Sequence, residues 1–368
     1  MAVYFPTFVN GGKALLAILS SKQQGLEHFF SCVANTPLSQ CYLSHDALTG
    51  VTWLCVAIIV YSFVWSVVGS NCSKVDQIWS ITPWVFTWSF FGHYYYTHGH
   101  KVHDRLLLIC VLTSLWGIRL TFNFARRGGY GNFFSHEEDY RWPILRKMFA
   151  EVDSTGILFL LFNISFIASY QNLLLFLIAL PAYGVMKSPL VTIQPGDWAI
   201  SLAFLVLLLV ETVADQQQWV YQNNKYSISE SARKKSNDPD IRDGFLQSGL
   251  FYYTRHPNYF AEQAIWICVY LYTLVGKGPS KLEALLNVYS LGAILLVLLF
   301  QGSLSFSEGI TAGKYPKYRD YQQRVSQCIP LPFQFRVRES IKKNDPTIKK
   351  NDPNPVTKRA SSRGRSKK

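Results

Sequence analysis

Apolar residues in this chain neither alternate nor form one helical stripe. Between Val51 and Phe306 they gather into runs close to the ~20 residues that a helix needs to cross a bilayer. The runs predict crossings at about 51–69, 75–92, 106–124, 157–180, 198–215, 259–276 and 284–304. Pro83 interrupts the second of these, and without it the bundle would have six. A membrane helix tolerates proline where neighbours satisfy the freed carbonyl. Ser73 and Asp76 have the spacing of a capping box that would open this second crossing. Residues 1–46 are mixed, with room for one interfacial helix, and residues 333–368 are rich in Lys, Pro and Ser. Such a tail cannot bury a core. The expected fold is therefore all-α: a polytopic membrane helix bundle of six to seven transmembrane helices over 47–332, an N-terminal segment 1–46, and a disordered basic tail 333–368.

Composition sharpens this picture. Charged residues make up 16% of the chain, against roughly 25% in an average soluble domain, which excludes a soluble globular enzyme. The net charge is +13, but residues 333–368 hold 12 Lys and Arg against three acidic residues, so the basic balance belongs mostly to the tail. It reads as a solvated cytosolic segment, with attraction to anionic lipid as the alternative. No nucleic-acid-binding fold accompanies it. The seven cysteines include no CxxC pair, and Cys55, Cys110 and Cys268 lie inside apolar runs, which argues against a disulfide framework and a structural zinc site. The N-terminus lacks a basic region before its short apolar stretch, so no cleaved signal peptide is expected.

Loop charge orients the bundle. Arg126, Arg127, Arg141, Arg146 and Lys147 follow the third run, and six basic residues from Lys225 to Arg255 follow the fifth. The loops after the fourth and sixth hold only Lys187, and Lys277 with Lys281. The positive-inside rule puts the basic loops and the C-terminus in the cytosol, and seven crossings then put the N-terminus on the other side.

Polar residues within membrane helices are costly, so their spacing is informative. Three sets repeat the spacing i, i+4, i+7: Arg119, Asn123 and Arg126; Glu211, Asp215 and Gln218; Gln301, Ser305 and Glu308. All three sets fall at cytosolic ends, where they form either a polar pocket or interhelical salt bridges such as Arg119 with Asp215. Pro257, in Arg255-His256-Pro257-Asn258-Tyr259, suits the first turn of a helix, so the sixth crossing should start there. Asn258 and Glu262 then share one face, and the helix N-terminus with Arg255 offers positive potential to a phosphate or charged cofactor. The strip from Tyr315 to Arg324, with Tyr318 and Tyr321 spaced i, i+3, returns to the membrane surface. It either stacks on a cofactor ring or forms an interfacial belt.

In order, Trp116 to Arg119, Glu138 to Arg141, Glu211 with Asp215 and Gln218, Gly249 through Arg255-His256-Pro257-Asn258-Tyr259 to Glu262, and Glu308 with Tyr318, Tyr321 and Ile329-Pro330 resemble the steroid 5-alpha-reductase-like superfamily, in particular its DUF1295 group. The resemblance runs from about Asp76 to Pro332. It implies one of two chemistries: NADPH-dependent reduction, as in steroid and sterol reductases, or S-adenosylmethionine-dependent methylation of lipid or prenyl groups. Glu262 stands where sterol reductases carry a carboxylate. Glu308 stands where the methyltransferases carry an acidic cluster and the steroid reductases a tyrosine.

The resemblance thus leans towards a membrane-embedded oxidoreductase that uses NADPH to reduce a carbon–carbon double bond in a steroid, sterol or lipid enone, resident in the endoplasmic reticulum. It implies cofactor contacts at Arg119, Asp215, Arg255, His256, Asn258, Glu262, Arg319 and Tyr321. The acid that polarises the carbonyl would be Glu308, Tyr318 or Tyr259. The alternatives are the methyltransferase and a non-catalytic membrane scaffold.

Two other signals fall away. Gly128-Gly129-Tyr130-Gly131 follows no predicted strand and lacks the third glycine of a dinucleotide fingerprint, with Phe134 in its place. His93, His98, His100 and His103 are too few for the histidine boxes of membrane desaturases and read as a polar loop, so no metal is expected. The run from Glu137 to Arg141 is either a solvated charge cluster or part of the cofactor mouth.

Overall fold

The computed structural model describes residues 8–131, 138–276 and 285–335. The tail from 336 onward, Glu137, Lys277 and Lys281 therefore lie outside the described residues. The fold is all-helical, and five of its helices are long and apolar enough to cross a membrane. Helices α1 (Phe8–Leu19), α2 (Leu26–Asn35) and α3 (Leu38–Ser44) precede the first long one, α4 (Ala47–Val68). Next come α5 (Lys74–Trp79), α6 (Thr82–Thr97), α7 (Asp104–Arg126) and α8 (Arg141–Val152). Helix α9 spans Ile157–Met186 and α10 spans Pro195–Tyr226. Two short helices, α11 (Glu230–Lys234) and α12 (Pro239–Asp243), lead to α13 (Pro257–Leu271), α14 (Leu291–Lys314) and α15 (Tyr318–Arg324).

Several expectations need correction. The N-terminal segment forms three helices rather than one. No disulfide framework was expected, yet Cys32 and Cys41 form a disulfide. The run expected to cross at 75–92 forms two shorter helices, α5 and α6, because Pro83 sits in the first turn of α6, where proline starts a helix more readily than it continues one. The Ser73 capping box does not form. Its hydroxyl accepts from the backbone N–H of Asp139 at 2.9 Å, so it ties the following loop down rather than capping α5. Helix α10 runs 32 residues, well past the expected end at 215. The sixth crossing is shorter than expected: α13 has 15 residues and a 3-10 turn at Tyr272–Leu274.

Helix α9 is the central crossing. From Gln171 to Met186 almost every residue is buried, in contact with α4, α6, α13 and α14. No amphipathic stripe is needed in a helix surrounded on all sides. Gly292 lets α14 come close, since a Cβ there would lie 2.3 Å from the Leu177 carbonyl carbon. Small residues at such crossings allow backbones to approach, which drives packing where lipid supplies no hydrophobic contrast. Residues Asn163–Tyr170 of α9 are wound as a π-helix. Opposite it, Asn163 donates to Ser66 Oγ at 2.8 Å and Asn172 to Ser62 Oγ at 3.0 Å, joining α9 to α4 through buried polar groups.

Chain direction separates two ends. Asp46, His93, His103, Lys187 and Asp197 lie at one, called here the far end. Arg126, Tyr226, Pro257 and Glu308 lie at the other. At the far end Arg105 forms a fork with Asp197, at 2.8 and 3.0 Å, and donates to the Tyr272 carbonyl at 2.7 Å.

Candidate functional site

Two adjoining polar clusters occupy the other end. The first joins α7, α10 and α13. Arg119 donates to Glu211 at 2.6 Å and to Asp215 at 2.7 Å. Because Glu211 and Asp215 are one turn apart, a single guanidinium reaches both. Asn123, one turn after Arg119, donates to Asp215 Oδ2 at 2.7 Å, and Asn258 donates to its Oδ1 at 3.1 Å. The Glu211 carboxylate lies beside that of Glu262. Glu262 takes an indole N–H on each oxygen, from Trp116 at 2.7 Å and Trp266 at 3.1 Å. The two indoles pack edge to face with centroids 4.8 Å apart, which holds both N–H groups towards the carboxylate. Arg119 Nε and Glu211 Oε2 are buried without a hydrogen-bond partner among the described residues. Buried groups of this kind are costly unless something completes them.

The second cluster centres on Glu308. Arg255 donates to both its oxygens, at 2.6 and 3.0 Å. His256 lies 2.9 Å from Oε1, Tyr318 donates to it at 3.2 Å, and Gln322 and Gln327 donate to Oε2 at 2.9 and 3.3 Å. Arg255 also donates to the carbonyls of Gln322 and Val325. This knot ties the start of α13 to α14, α15 and the segment beyond. Burial and the Glu308 carboxylate hold the Tyr318 phenol well above its ordinary range, so it stays a protonated donor.

A latch stands behind the knot. Lys225 Nζ donates to the Gly244 carbonyl at 2.6 Å and to the Tyr315 hydroxyl at 2.8 Å, 4.6 Å from the centre of the Tyr315 ring. Burial alone would raise the Tyr315 hydroxyl, but the Lys225 ammonium outweighs it and holds the group below its ordinary value. Gly244 closes α12 in the left-handed region at φ 90°, and a Cβ there would lie 2.4 Å from the Tyr315 ring. Gly244→Ala should therefore cost about 1–2 kcal/mol in backbone strain alone and also displace Tyr315. The check is a lower melting temperature in detergent together with faster proteolysis of the segment around Lys317.

The predicted site residues divide by location. Arg119, Asp215, Asn258 and Glu262 meet in the first cluster, and Arg255, His256, Glu308 and Tyr318 in the second. Arg255 has every guanidinium nitrogen engaged, so it serves the knot and not a phosphate. Glu308 is saturated by donors, which suits an organising carboxylate better than an acid. Arg319 is exposed and joins neither cluster. Tyr321 is buried with its hydroxyl on the Phe251 carbonyl at 2.5 Å, an anchor for α15. Of the third stripe only Glu308 points inward, while Gln301 and Ser305 are exposed. The Arg119–Asp215 salt bridge forms as one of the two readings required.

Tyr259 differs from the other proton-donor candidates. Its ring sits between His256, at 5.4 Å, and Phe300, at 4.9 Å. Asp139, Tyr140, Arg141 and Asp215 are its charged and polar neighbours, and its hydroxyl has no hydrogen bond among the described residues. Arg141 is held by Asp139 at 2.7 Å and reaches Ser303 of α14 at 3.4 Å, which brings the 138–142 segment across the mouth. Sequence reasoning missed the partners of Glu262. Trp266, at i+4 from it, was the available signal.

Fold and site together define a polytopic helical membrane protein whose polar centre is built at one end of the bundle. The chain belongs to the family described as protein of unknown function (DUF1295), whose model matches residues 62–325. It is also 34% identical over 288 residues to an uncharacterized protein of Schizosaccharomyces pombe, C594.04c, a match that covers 76% of this chain and 79% of that one. No solved structure matches. The family match begins within α4 and ends just after α15, so it takes in both polar clusters except Gln327 and leaves out the N-terminal helices.

Proposed function

We propose that this protein is a membrane-embedded reductase that uses NADPH to reduce a carbon–carbon double bond in an apolar, steroid- or lipid-like substrate. The reading joins the resemblance to steroid 5-alpha-reductase-like proteins with one observation: among the described residues, the first cluster has unspent hydrogen-bonding capacity beside a tyrosine whose hydroxyl has no hydrogen-bond partner. Arg119 Nε offers a donor and Glu211 Oε2 an acceptor, both buried. A nicotinamide carboxamide presents the complementary pair, so the residues present fit that group. The cluster has three carboxylates, two of them on the one guanidinium and the third, Glu262, beside Glu211, and it favours donor-rich neutral groups such as an amide or ribose hydroxyls over a phosphate.

The cofactor, when bound, supplies hydride. The chain's own residues bind and orient. Asn258 and Asp215 hold hydroxyl or amide groups, the Trp116–Trp266 pair fixes Glu262, and the apolar bundle limits water. Tyr259 holds the proton that ends on the substrate, with Arg141 and Asp139 setting its surroundings. The substrate enters from the bilayer, and the site end faces the cytosol of an endoplasmic reticulum membrane, where the basic loops belong.

Binding of NADPH and of S-adenosylmethionine to the purified protein tests this. Glu211→Gln, which alters the open acceptor, should weaken NADPH binding about ten- to a hundredfold, since one charge-assisted acceptor is worth roughly 1.5–3 kcal/mol. Tyr259→Phe should leave binding within about twofold while abolishing reduction of an enone probe. Tight S-adenosylmethionine binding that ignores Glu211, with no binding of NADPH, would sink the proposal in favour of the methyltransferase.

A further inference from the structure

The thiol state of this chain differs between its two ends. Cys32 and Cys41 are joined at the far end, while Cys72 and Cys328, at the site end, are free. Cys72 lies beside Glu138 and Arg146, and burial pushes its thiol up to about 11. Cys328 takes a contact from Gln263 at 3.4 Å. The remaining three, Cys55, Cys110 and Cys268, are buried inside the bundle.

The disulfide belongs to a docked cap, not a loose terminus. It closes the turn between α2 and α3, and both helices are held to the bundle. Trp53 donates to the Leu26 carbonyl at 2.9 Å, and Thr49 to the Gln24 carbonyl at 2.6 Å. Tyr42 donates to the Ser89 carbonyl at 2.6 Å, and the His93 ring to the His45 carbonyl at 2.9 Å. His28 and His45 share a hydrogen bond of 2.8 Å between ring nitrogens, a link from α2 to the residue that ends α3. Asp46, next in sequence, caps α4 and pairs with Lys187 at 2.7 Å. The cap therefore covers the end of the bundle opposite both polar clusters.

We propose that the far end faces an oxidising compartment and that Cys32–Cys41 is a structural disulfide formed there, closing the N-terminal cap over the bundle while the site end stays in a reducing one. Two independent asymmetries agree. Loop charge puts the segments of Arg126–Lys147 and Lys225–Arg255 on the cytosolic side, and disulfides persist in the lumen or outside the cell but not in the cytosol. The inference does not depend on the chemistry of the site.

The test uses the full chain in sealed microsomes, cytosolic face outward. The protein is denatured directly in the presence of maleimide–polyethylene glycol, so that every free thiol reacts. The count of maleimide–polyethylene glycol adducts with and without reductant gives the thiol state. Wild type should show five reactive thiols without reductant and seven with it. Cys41→Ser should abolish the difference. A membrane-impermeant phosphine added to sealed vesicles should leave the bond intact and should open it after permeabilisation. Seven adducts without reductant would overturn the disulfide. Opening in sealed vesicles would overturn the sidedness.

Discussion

Glu308→Ala should release the closing segment of the protein. The substitution leaves Arg255, whose side chain is 9% exposed, without its counter-charge, and removes the common acceptor of His256, Tyr318, Gln322 and Gln327. Removing one partner of a buried ion pair costs about 3–5 kcal/mol, because the survivor keeps its desolvation cost without the compensating attraction. That corresponds to roughly a hundred- to a few-thousandfold shift towards the undocked segment. Limited trypsin digestion reads it directly: cleavage after Arg324, half-buried in the intact knot, should become fast while the long helices stay protected. Replacing both Arg255 and Glu308 by Met should restore most of the lost melting temperature, as apolar replacements of buried pairs often do. A Glu308→Ala protein that melts like the parent and resists cleavage would show that the knot does not hold the segment.

Arg105→Met should destabilise the bundle to a similar extent, at its far end. Arg105 and Asp197 have 1% and 0% of their side-chain surface exposed, and their fork joins α7 to α10. The same guanidinium holds the Tyr272 carbonyl, where α13 ends and its helical bonding stops. Asp197 also accepts from the Gln194 N–H at 2.8 Å in the capping box of α10, so it stays buried and ordered after the arginine is lost. The expected cost is again about 3–5 kcal/mol, or very roughly 6–20 °C in melting temperature. NADPH binding per folded molecule should not change, because the fork lies at the opposite end from both clusters. A drop in ligand affinity with no drop in stability would show coupling between the two ends and defeat this reading.

These two pairs show the limits of reading charge from sequence. Arg105 and Asp197 gave no sign of each other: 92 residues separate them, and Arg105 directly follows Asp104, which could have served as its partner. Arg119 and Asp215 were legible because each repeats at i+4 with a second polar group, and a membrane helix carries such a stripe only if it faces another. The same rule misled for Gln301 and Ser305. Near a helix end, polar side chains can remain exposed at the membrane edge, so spacing alone does not prove that a face is turned inward.

The chain's own pattern was enough to determine the all-helical membrane bundle, the rough placement of its long helices though not their ends, and the meeting of α7 with α10. Those features follow from run length, from the starting preference of Pro257 and from the cost of polar groups in lipid, all of which are local. Tertiary structure alone decided what each polar group does. Arg255 could have faced a phosphate or a carboxylate, and only the return of Glu308 along α14 committed it to the knot. Glu262 could have faced a ligand, and the Trp116–Trp266 pair took its oxygens instead. Cys32 and Cys41 became partners because α2 and α3 fold back on each other. In every case the choice depends on which distant group arrives within about 3 Å, and that distance is set by helix packing, not by any signal in the neighbouring sequence.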